Sequence, residues 1–318
     1  MTTMHLPGED REAVAMEAHA PAGLERAKLV SPRSVEEACE LLAEAHARGQ
    51  AAVALAGGTD WIVDRHLADV SRARPVDLVV DLTAIDALRT IYAYEDGDKK
   101  ERRLVVGAGV TYWTLRNDPE VLGTIPLLSR MAKDVGAVQI QTRGTLGGNL
   151  ASASPAADGV PVLFALEAVL SIASASGTRK VPVESFFVGY RKTVLAPGEL
   201  ILAIDVRVPR AGAFASWQKV GTRLAQAISK VALAGVVETD GAMVSRAHFG
   251  MASVGPTTAP LTAVCSAVVG KELARIDRSA TDAAVAADIK PIDDVRSTGD
   301  YRLHVAKALV WRALHAPP

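Results

Sequence analysis

Apolar residues recur at helical spacing near the front of the chain. Ser34 and Glu37 match a capping box, in which a serine side chain caps the helix and a glutamate follows three residues later. Gly49 is a typical helix stop. The sequence therefore predicts an amphipathic helix whose buried stripe is formed by Val35, Ala38, Cys39, Leu42 and Ala45.

Two short apolar runs follow this helix along the chain. Residues 51–56 and 78–82 are each typical of a strand, and the alternation of strands with a helix predicts a small α/β unit. The first run ends in a glycine pair, Gly57-Gly58. A third run at residues 104–106 predicts another strand and is followed by glycines 107 and 109.

The segment from residue 141 to residue 158 contains glycine, small and polar positions with hardly any large apolar side chain. Such a composition is not that of a core element, and we interpret the segment as a long loop. It contains a second glycine pair, Gly147-Gly148. The preceding stretch, residues 125–138, has a helical pattern.

The second half of the chain returns to alternating patterns. Residues 199–208 and 214–220 predict antiparallel strands with one solvated face. Further strands are predicted at 231–237 and 243–251, and a final helix begins near Asp300.

Composition excludes several classes of protein. The 318 residues are 49% hydrophobic, with a net charge of −1 and only 4% aromatic residues, so nothing favours nucleic acid as a partner. No apolar run approaches the length of about 18 residues that spans a bilayer. Residues 1–26 form a polar extension without a secretory pattern, and we expect a cytoplasmic protein.

Cysteine content limits redox chemistry within the chain. Cys39 and Cys265 are the only cysteines, whereas one all-cysteine iron–sulfur cluster needs four thiolates. Any iron–sulfur centre that works with this protein must therefore lie in another polypeptide, and we expect no metal site here.

The two glycine pairs suit a phosphate-bearing ligand, because backbone N–H groups can approach phosphate closely where side chains are absent. Two such loops favour a diphosphate, as in a dinucleotide. A Rossmann fingerprint is excluded: Gly107-Ala-Gly109 continues to Tyr112 where the third glycine belongs, and Gly57-Gly58 lacks the GxG spacing.

A set of motifs in a fixed order resembles the FAD-binding medium subunit of the xanthine dehydrogenase and carbon monoxide dehydrogenase family of molybdenum hydroxylases. The resemblance covers roughly residues 27–314, and the third motif is the most specific. The motifs are AGGTD (56–60), VGAGVT (106–111), TLGGNLASASPAAD (145–158), APGELI (196–201), KVGTRLAQAISKVALA (219–234) and GDYR (299–302).

The resemblance implies an α+β fold of the PCMH/vanillyl-alcohol-oxidase FAD-binding type. Its expected parts are a polar extension at 1–26, an FAD-binding domain at 27–210 and a C-terminal α/β domain at 211–318. The FAD-binding domain divides into an N-terminal α/β subdomain (27–80) and a middle subdomain (81–210). The C-terminal part is expected to contain an antiparallel sheet with helices.

The resemblance also implies the residues that contact non-covalent FAD. Trp61 and Val106 are unusual choices at their positions. The chain lacks the four-cysteine insertion of some members. The contacts carried over are Ala54, Leu55, Ala56, Gly57, Gly58, Thr59, Asp60, Trp61, Val106, Gly107, Thr111, Thr145, Gly147, Gly148, Asn149, Asp158, Ile201 and Lys219.

The implied function is electron transfer, with no catalytic residue in this chain. A large molybdopterin subunit oxidises the substrate, and two [2Fe–2S] clusters in a small iron–sulfur subunit pass electrons to FAD and then to an external acceptor. The expected assembly is a heterotrimer or a dimer of heterotrimers. Two alternatives stay open: a free-standing FAD-dependent dehydrogenase and a non-redox nucleotide-binding module.

Overall fold

The computed structural model describes residues 23–24, 26–67, 75–98 and 101–315. The predicted extension at residues 1–26 lies outside them, apart from residues 23, 24 and 26. The described chain mixes helices with parallel and antiparallel sheets, which confirms the predicted α+β fold class.

The N-terminal unit is a small parallel sheet with two helices. Its elements are β1 (Lys28–Val30), α1 (Val35–Ala47), β2 (Ala52–Leu55), α2 (Trp61–Leu67) and β3 (Leu78–Asp81). The strands lie in the order β1–β3–β2 and pair in parallel. Ser34 Oγ accepts a hydrogen bond from the Glu37 N–H, so the predicted capping of α1 is confirmed together with its buried stripe.

The middle unit combines antiparallel sheets with a group of short helices. Its elements are β4 (Ile91–Asp96), β5 (Glu101–Gly107), α3 (Tyr112–Asn117), α4 (Pro119–Thr124), α5 (Pro126–Lys133), α6 (Val138–Gln141), α7 (Leu146–Ser152), α8 (Gly159–Ala165), β6 (Val169–Ser174), β7 (Gly177–Pro182), β8 (Phe187–Gly189), β9 (Lys192–Thr193) and β10 (Leu200–Arg207). The five-stranded sheet has the order β4–β5–β10–β6–β7, and β8 pairs with β9 in a separate sheet.

Helix α7 corrects the prediction of a loop at residues 141–158. Thr145 caps this helix by accepting a hydrogen bond from the Gly148 N–H. Leu146 and Leu150, four positions apart, are fully buried on one face. The small residues did not signal a core element because only these two side chains anchor the helix.

The C-terminal unit is a four-stranded antiparallel sheet covered by helices. Its elements are β11 (Phe214–Val220), β12 (Val231–Asp240), β13 (Met243–Ala252), β14 (Ala259–Pro260), α9 (Thr262–Val268), α10 (Arg278–Asp288) and α11 (Gly299–His315). The strands follow chain order in the sheet. Alternate residues of β12 face two cores: Leu233 packs with the C-terminal helices, whereas Val236 packs with the middle unit.

The prediction of one solvated face on β10 is wrong. Its polar residues Asp205 and Arg207 are buried, because each has an internal ion pair. Asp205 accepts from Arg103 Nε at 2.7 Å, and Arg207 Nη2 lies 2.8 Å from a Glu238 oxygen. Alternation of apolar and polar residues indicates that a strand has one apolar face and one polar face. In β10 the polar face is buried, and its charges are paired with charged side chains inside the protein instead of being solvated by water.

Two kinds of feature are absent from the described ranges. None of the helices there is both long and apolar enough to cross a bilayer. Nor do three or more His, Cys, Asp or Glu side chains gather there into a group that could hold a metal ion.

Candidate functional site

The two glycine loops predicted from the sequence meet in space. The first loop, residues 57–60, follows β2, and the second, residues 145–149, opens α7. A Cβ atom built on Gly57 would lie 2.0 Å from the Arg143 carbonyl oxygen and 3.0 Å from Gly144 Cα. Only glycine at position 57 permits this backbone-to-backbone approach.

A cavity of about 360 Å³, the first cavity, lies where the loops meet. Elements of both the N-terminal and the middle unit form its walls. Most of the predicted contact residues line it: Ala54, Leu55, Ala56, Gly57, Gly58, Thr59, Asp60, Trp61, Thr145, Gly147, Gly148, Asn149 and Ile201.

A second cavity, about 1010 Å³, adjoins the first and extends to the C-terminal unit. The two cavities share Thr59, Trp61 and Asn149 among their walls. Asp158 lines only the second cavity, whereas Ile201 lines only the first. Asp158 and Ile201, both predicted from the resemblance to contact FAD, therefore lie in the walls of different cavities.

Four predicted residues lie behind the cavity walls. Val106 is fully buried in β5, and a Cβ atom on Gly107 would lie 2.4 Å from the Leu88 carbonyl oxygen. Thr111 caps α3 and forms a β-bridge with Thr145 of the second loop. Lys219 is the fourth. These residues support the walls in this structure.

Lys219 is tied to the middle unit by a buried ion pair. Its Nζ donates to Asp158 Oδ2 at 2.6 Å and to the Asp134 carbonyl at 2.8 Å. Ser229 Oγ donates to Asp158 Oδ1 at 2.6 Å. Burial raises the pKa of Asp158 above the usual carboxyl value, while the Lys219 ammonium and both hydrogen bonds oppose that shift. This cluster joins β11 to the start of α8.

The loops differ in the hydrogen bonds of their backbone. Gly147 N–H donates to the Ala108 carbonyl at 2.9 Å, and Gly148 N–H donates to Thr145 Oγ1 at 3.0 Å. In the first loop, no described residue accepts from the N–H groups of residues 57–59. Free donors that could hold a phosphate are therefore concentrated in the first loop.

Charge in the first cavity is carried by carboxylates. Of the described residues, Asp60 and Glu199 are the charged ones that line it, and no Lys or Arg does. Ser152 donates to Asp60 at 2.8 Å. Arg179 holds Glu199 through two hydrogen bonds of 2.7 Å and lowers the pKa of that carboxyl.

These residues fit FAD. A diphosphate can be bound by unpartnered backbone N–H groups without a cation, as in other glycine-rich nests. Gly148 leaves room, because the one atom that its Cβ would approach within 4 Å is Thr145 Oγ1, at 2.9 Å. Asn149 Oδ1 accepts from Gly159 N–H, which directs its amide N–H₂ elsewhere as a donor.

Sequence reasoning missed several wall residues. Ala108, Gly109 and Tyr112 line the first cavity, as do Gly144, Leu195 and Glu199. Tyr112 was noticed only as the residue that breaks a Rossmann fingerprint. Its position directly after the VGAGVT motif could have marked it as a wall residue.

Known proteins are similar to this chain over most of its length. Residues 25–211 match the family described as FAD binding domain in molybdopterin dehydrogenase, and residues 216–316 match the CO dehydrogenase flavoprotein C-terminal domain. The carbon monoxide dehydrogenase medium chain of Hydrogenophaga pseudoflava is 31% identical over 90% of this chain and 95% of its own length.

Solved structures also align with this chain over most of its length. Carbon monoxide dehydrogenase from Hydrogenophaga pseudoflava aligns with a TM-score of 0.83 at 30% identity, covering 92% of this chain and 97% of that chain. Quinoline 2-oxidoreductase from Pseudomonas putida 86 aligns with a TM-score of 0.77 at 26% identity, covering 90% and 95%.

Proposed function

The chain belongs to the family of FAD-binding medium subunits of the xanthine dehydrogenase and carbon monoxide dehydrogenase type, and from that premise we propose that it transfers electrons within a molybdenum hydroxylase complex. The observation that carries the proposal is the meeting of both glycine loops at one cavity, with Gly57 against the Arg143 backbone. FAD is the cofactor.

FAD, when bound, can accept electrons singly and release them as a pair. The chain's own residues bind and orient it. The N–H groups of residues 57–59 would hold the diphosphate, Gly148 would give it room, and Asn149 would offer an amide donor. The ion pair of Lys219 with Asp158 fixes the wall of the second cavity. The eighteen contact residues predicted from the sequence thus divide into wall residues and supporting residues.

We place the oxidation of substrate on a partner subunit. With two cysteines in the chain, Cys39 in α1 and Cys265 in α9, no all-cysteine iron–sulfur cluster can form within it. The proposed partners are a small subunit with two [2Fe–2S] clusters and a large subunit with the molybdenum cofactor. Relatives described as medium chains, matched over nearly their whole length, support such an assembly.

The proposed domain division is 27–210 and 211–318. The two family matches, which meet between residues 211 and 216, support it. Separate apolar cores in the two parts also support it, although β12 contributes to both. The cytoplasmic location and the external acceptor stay predictions.

Anaerobic flavin bleaching tests the proposed function. The chain loaded with FAD is mixed with aromatic heterocycles, aldehydes or carbon monoxide. We expect no reduction until the iron–sulfur and molybdenum subunits are added. Bleaching at a catalytic rate by the chain alone would make it a free-standing dehydrogenase, and a purified chain that binds nucleotide without flavin would make it a nucleotide-binding module.

Non-covalent binding is tested separately. Acid precipitation should release the flavin into the supernatant. A yellow pellet would contradict that part of the proposal.

A further inference from the structure

The Tyr112 hydroxyl has no hydrogen-bond partner although it is buried. The side chain is 2% exposed, and no atom in the described part of the chain accepts from or donates to its oxygen. A buried hydroxyl without a partner costs free energy, so such groups are rare unless a ligand or a bound water completes them. Tyr112 is also part of the wall of the first cavity.

The position of the ring connects Tyr112 to both glycine loops. Its backbone N–H donates to the Gly144 carbonyl at 3.0 Å. A Cβ atom built on Gly144 would lie 3.5 Å from Tyr112 Cδ2 and 3.4 Å from Thr59 Oγ1. One point at Gly144 is thus within 3.5 Å of both the ring and the first loop, and the N–H groups of residues 57–59 have no acceptor among the described residues.

The far end of the side chain lies at the second loop. A Cβ atom built on Gly159 would lie 3.1 Å from the Tyr112 hydroxyl oxygen and 2.8 Å from Asn149 Oδ1. Asn149 lines both cavities, so the hydroxyl lies near a residue that the two cavities share. A dinucleotide that extends from one cavity into the other would pass Asn149.

The surroundings of the Tyr112 hydroxyl keep it protonated, so it remains a hydrogen-bond donor. Burial raises the pKa of Tyr112 well above its usual value, and the nearby carboxylates of Asp158 and Asp60 raise it further. A protonated phenol can rotate its hydrogen toward an anionic oxygen, and such charge-assisted bonds are stronger than neutral ones.

We propose that Tyr112 is a further FAD-binding residue, whose hydroxyl turns into the cavity when the cofactor binds and donates a hydrogen bond to a phosphate oxygen of its diphosphate. The inference rests on the proposed function. It predicts that the Tyr112 hydroxyl lowers the stability of the chain without FAD and raises the stability of the chain with FAD bound.

The test compares the full-length chain with Tyr112→Phe, both stripped of flavin. Without FAD, Tyr112→Phe should unfold at the same temperature as wild type or higher, because the deleted group had no partner. Titration followed by flavin fluorescence should show FAD binding weakened about tenfold or more, the range for a hydrogen bond to a charged group. Binding of riboflavin, which has no phosphate, should not change.

Tyr94→Phe is the matched control. The Tyr94 hydroxyl donates to Asp205 at 2.8 Å, and Tyr94 does not line the first or second cavity. Its loss should lower the unfolding temperature without FAD and leave FAD affinity unchanged.

Three results would overturn the inference. The first is that Tyr112→Phe binds FAD as tightly as wild type does. The second is that it destabilises the flavin-free chain as Tyr94→Phe does, which would reveal a water or protein partner of the hydroxyl. The third is that it weakens riboflavin binding as much as FAD binding, which would place the contact away from the phosphates. Failure of the wild-type chain to bind FAD at all would instead refute the proposed function.

Discussion

The first glycine loop (residues 57–60) and the second (residues 145–149) line one cavity but contribute to it in different ways. The backbone N–H groups of residues 57–59 have no acceptor among the described residues. In the second loop, Gly147 and Gly148 already donate to Ala108 and Thr145. The first loop thus offers donors to a phosphate, whereas the second offers space.

Their glycines are needed for different physical reasons. Gly57 is packed against the backbone of residues 143 and 144, where no side chain fits. Gly148 has a single close neighbour for an added Cβ, and the cavity lies beside it. A glycine pair therefore does not by itself identify a phosphate donor; the partners of its N–H groups do.

The largest effect is expected from Gly57→Ala. Its Cβ would overlap the Arg143 carbonyl, so the loops must separate and the cavity must open. We expect a loss of about 3 kcal/mol in the free energy of unfolding, at the upper end for overpacking, and loss of FAD. Thermal unfolding and the flavin-to-protein absorbance ratio measure the two effects.

Gly97→Ala is the control for that substitution, because an added Cβ there meets no atom of the described residues within 4 Å. Its stability should stay within about 0.5 kcal/mol of wild type. If Gly57→Ala behaves like Gly97→Ala, the close approach of the loops is not needed.

The next effect is that of Gly148→Val, which should separate binding from folding. The added Cβ would lie 2.9 Å from Thr145 Oγ1, so this capping hydroxyl must shift, at no more than the cost of a lost cap, about 1 kcal/mol. We expect an unfolding temperature near that of wild type without FAD, together with strongly reduced flavin occupancy after purification. Gly123→Val, at a position with open space around the added Cβ, is the control of equal size. Full flavin occupancy in Gly148→Val would remove the second loop from the site.

The fold could be predicted from sequence wherever one face of an element is apolar. The capped helix α1 and the strands β2 and β3 were predicted from their apolar patterns, and the five residues of the α1 stripe are all buried. The same rule failed for α7, which has only two large anchors, and for β10, whose polar residues are buried by ion pairs. Neither feature leaves a periodic trace in a single sequence.

The two glycine loops of the site could be predicted from the sequence, but not that the first offers N–H donors and the second offers space. This difference depends on long-range contacts, such as Gly147 with Ala108 and Gly57 with Arg143. Tyr112 was missed because an unpartnered hydroxyl can be recognised only once its surroundings are known.

A smaller effect is expected from Thr145→Val, which removes the cap that holds Gly148 N–H. Loss of a helix N-cap costs about 1 kcal/mol of stability. FAD affinity should also fall, because the freed loop no longer keeps its shape at the cavity. Ser34→Ala removes the equivalent cap from α1, which does not line the first cavity. It should cost a similar stability and leave FAD affinity intact; equal affinities in both variants would show that the loop's shape does not matter.

The smallest expected effect is that of salt on FAD affinity. Ionic strength weakens binding when lysine or arginine side chains attract a phosphate across solvent. In the described chain, no such side chain lines the first cavity, and the donors offered there are neutral N–H groups. The Kd for FAD should therefore change less than about threefold between about 0.05 M and about 0.5 M NaCl, a range over which exposed charge pairs are largely screened. The buried pair of Lys219 with Asp158 is little exposed to that screening.

Fluorescence titrations at several salt concentrations measure how the Kd for FAD depends on ionic strength. A weakening of tenfold or more would mean that cationic side chains hold the diphosphate, and the first loop would then lose its role as the phosphate donor.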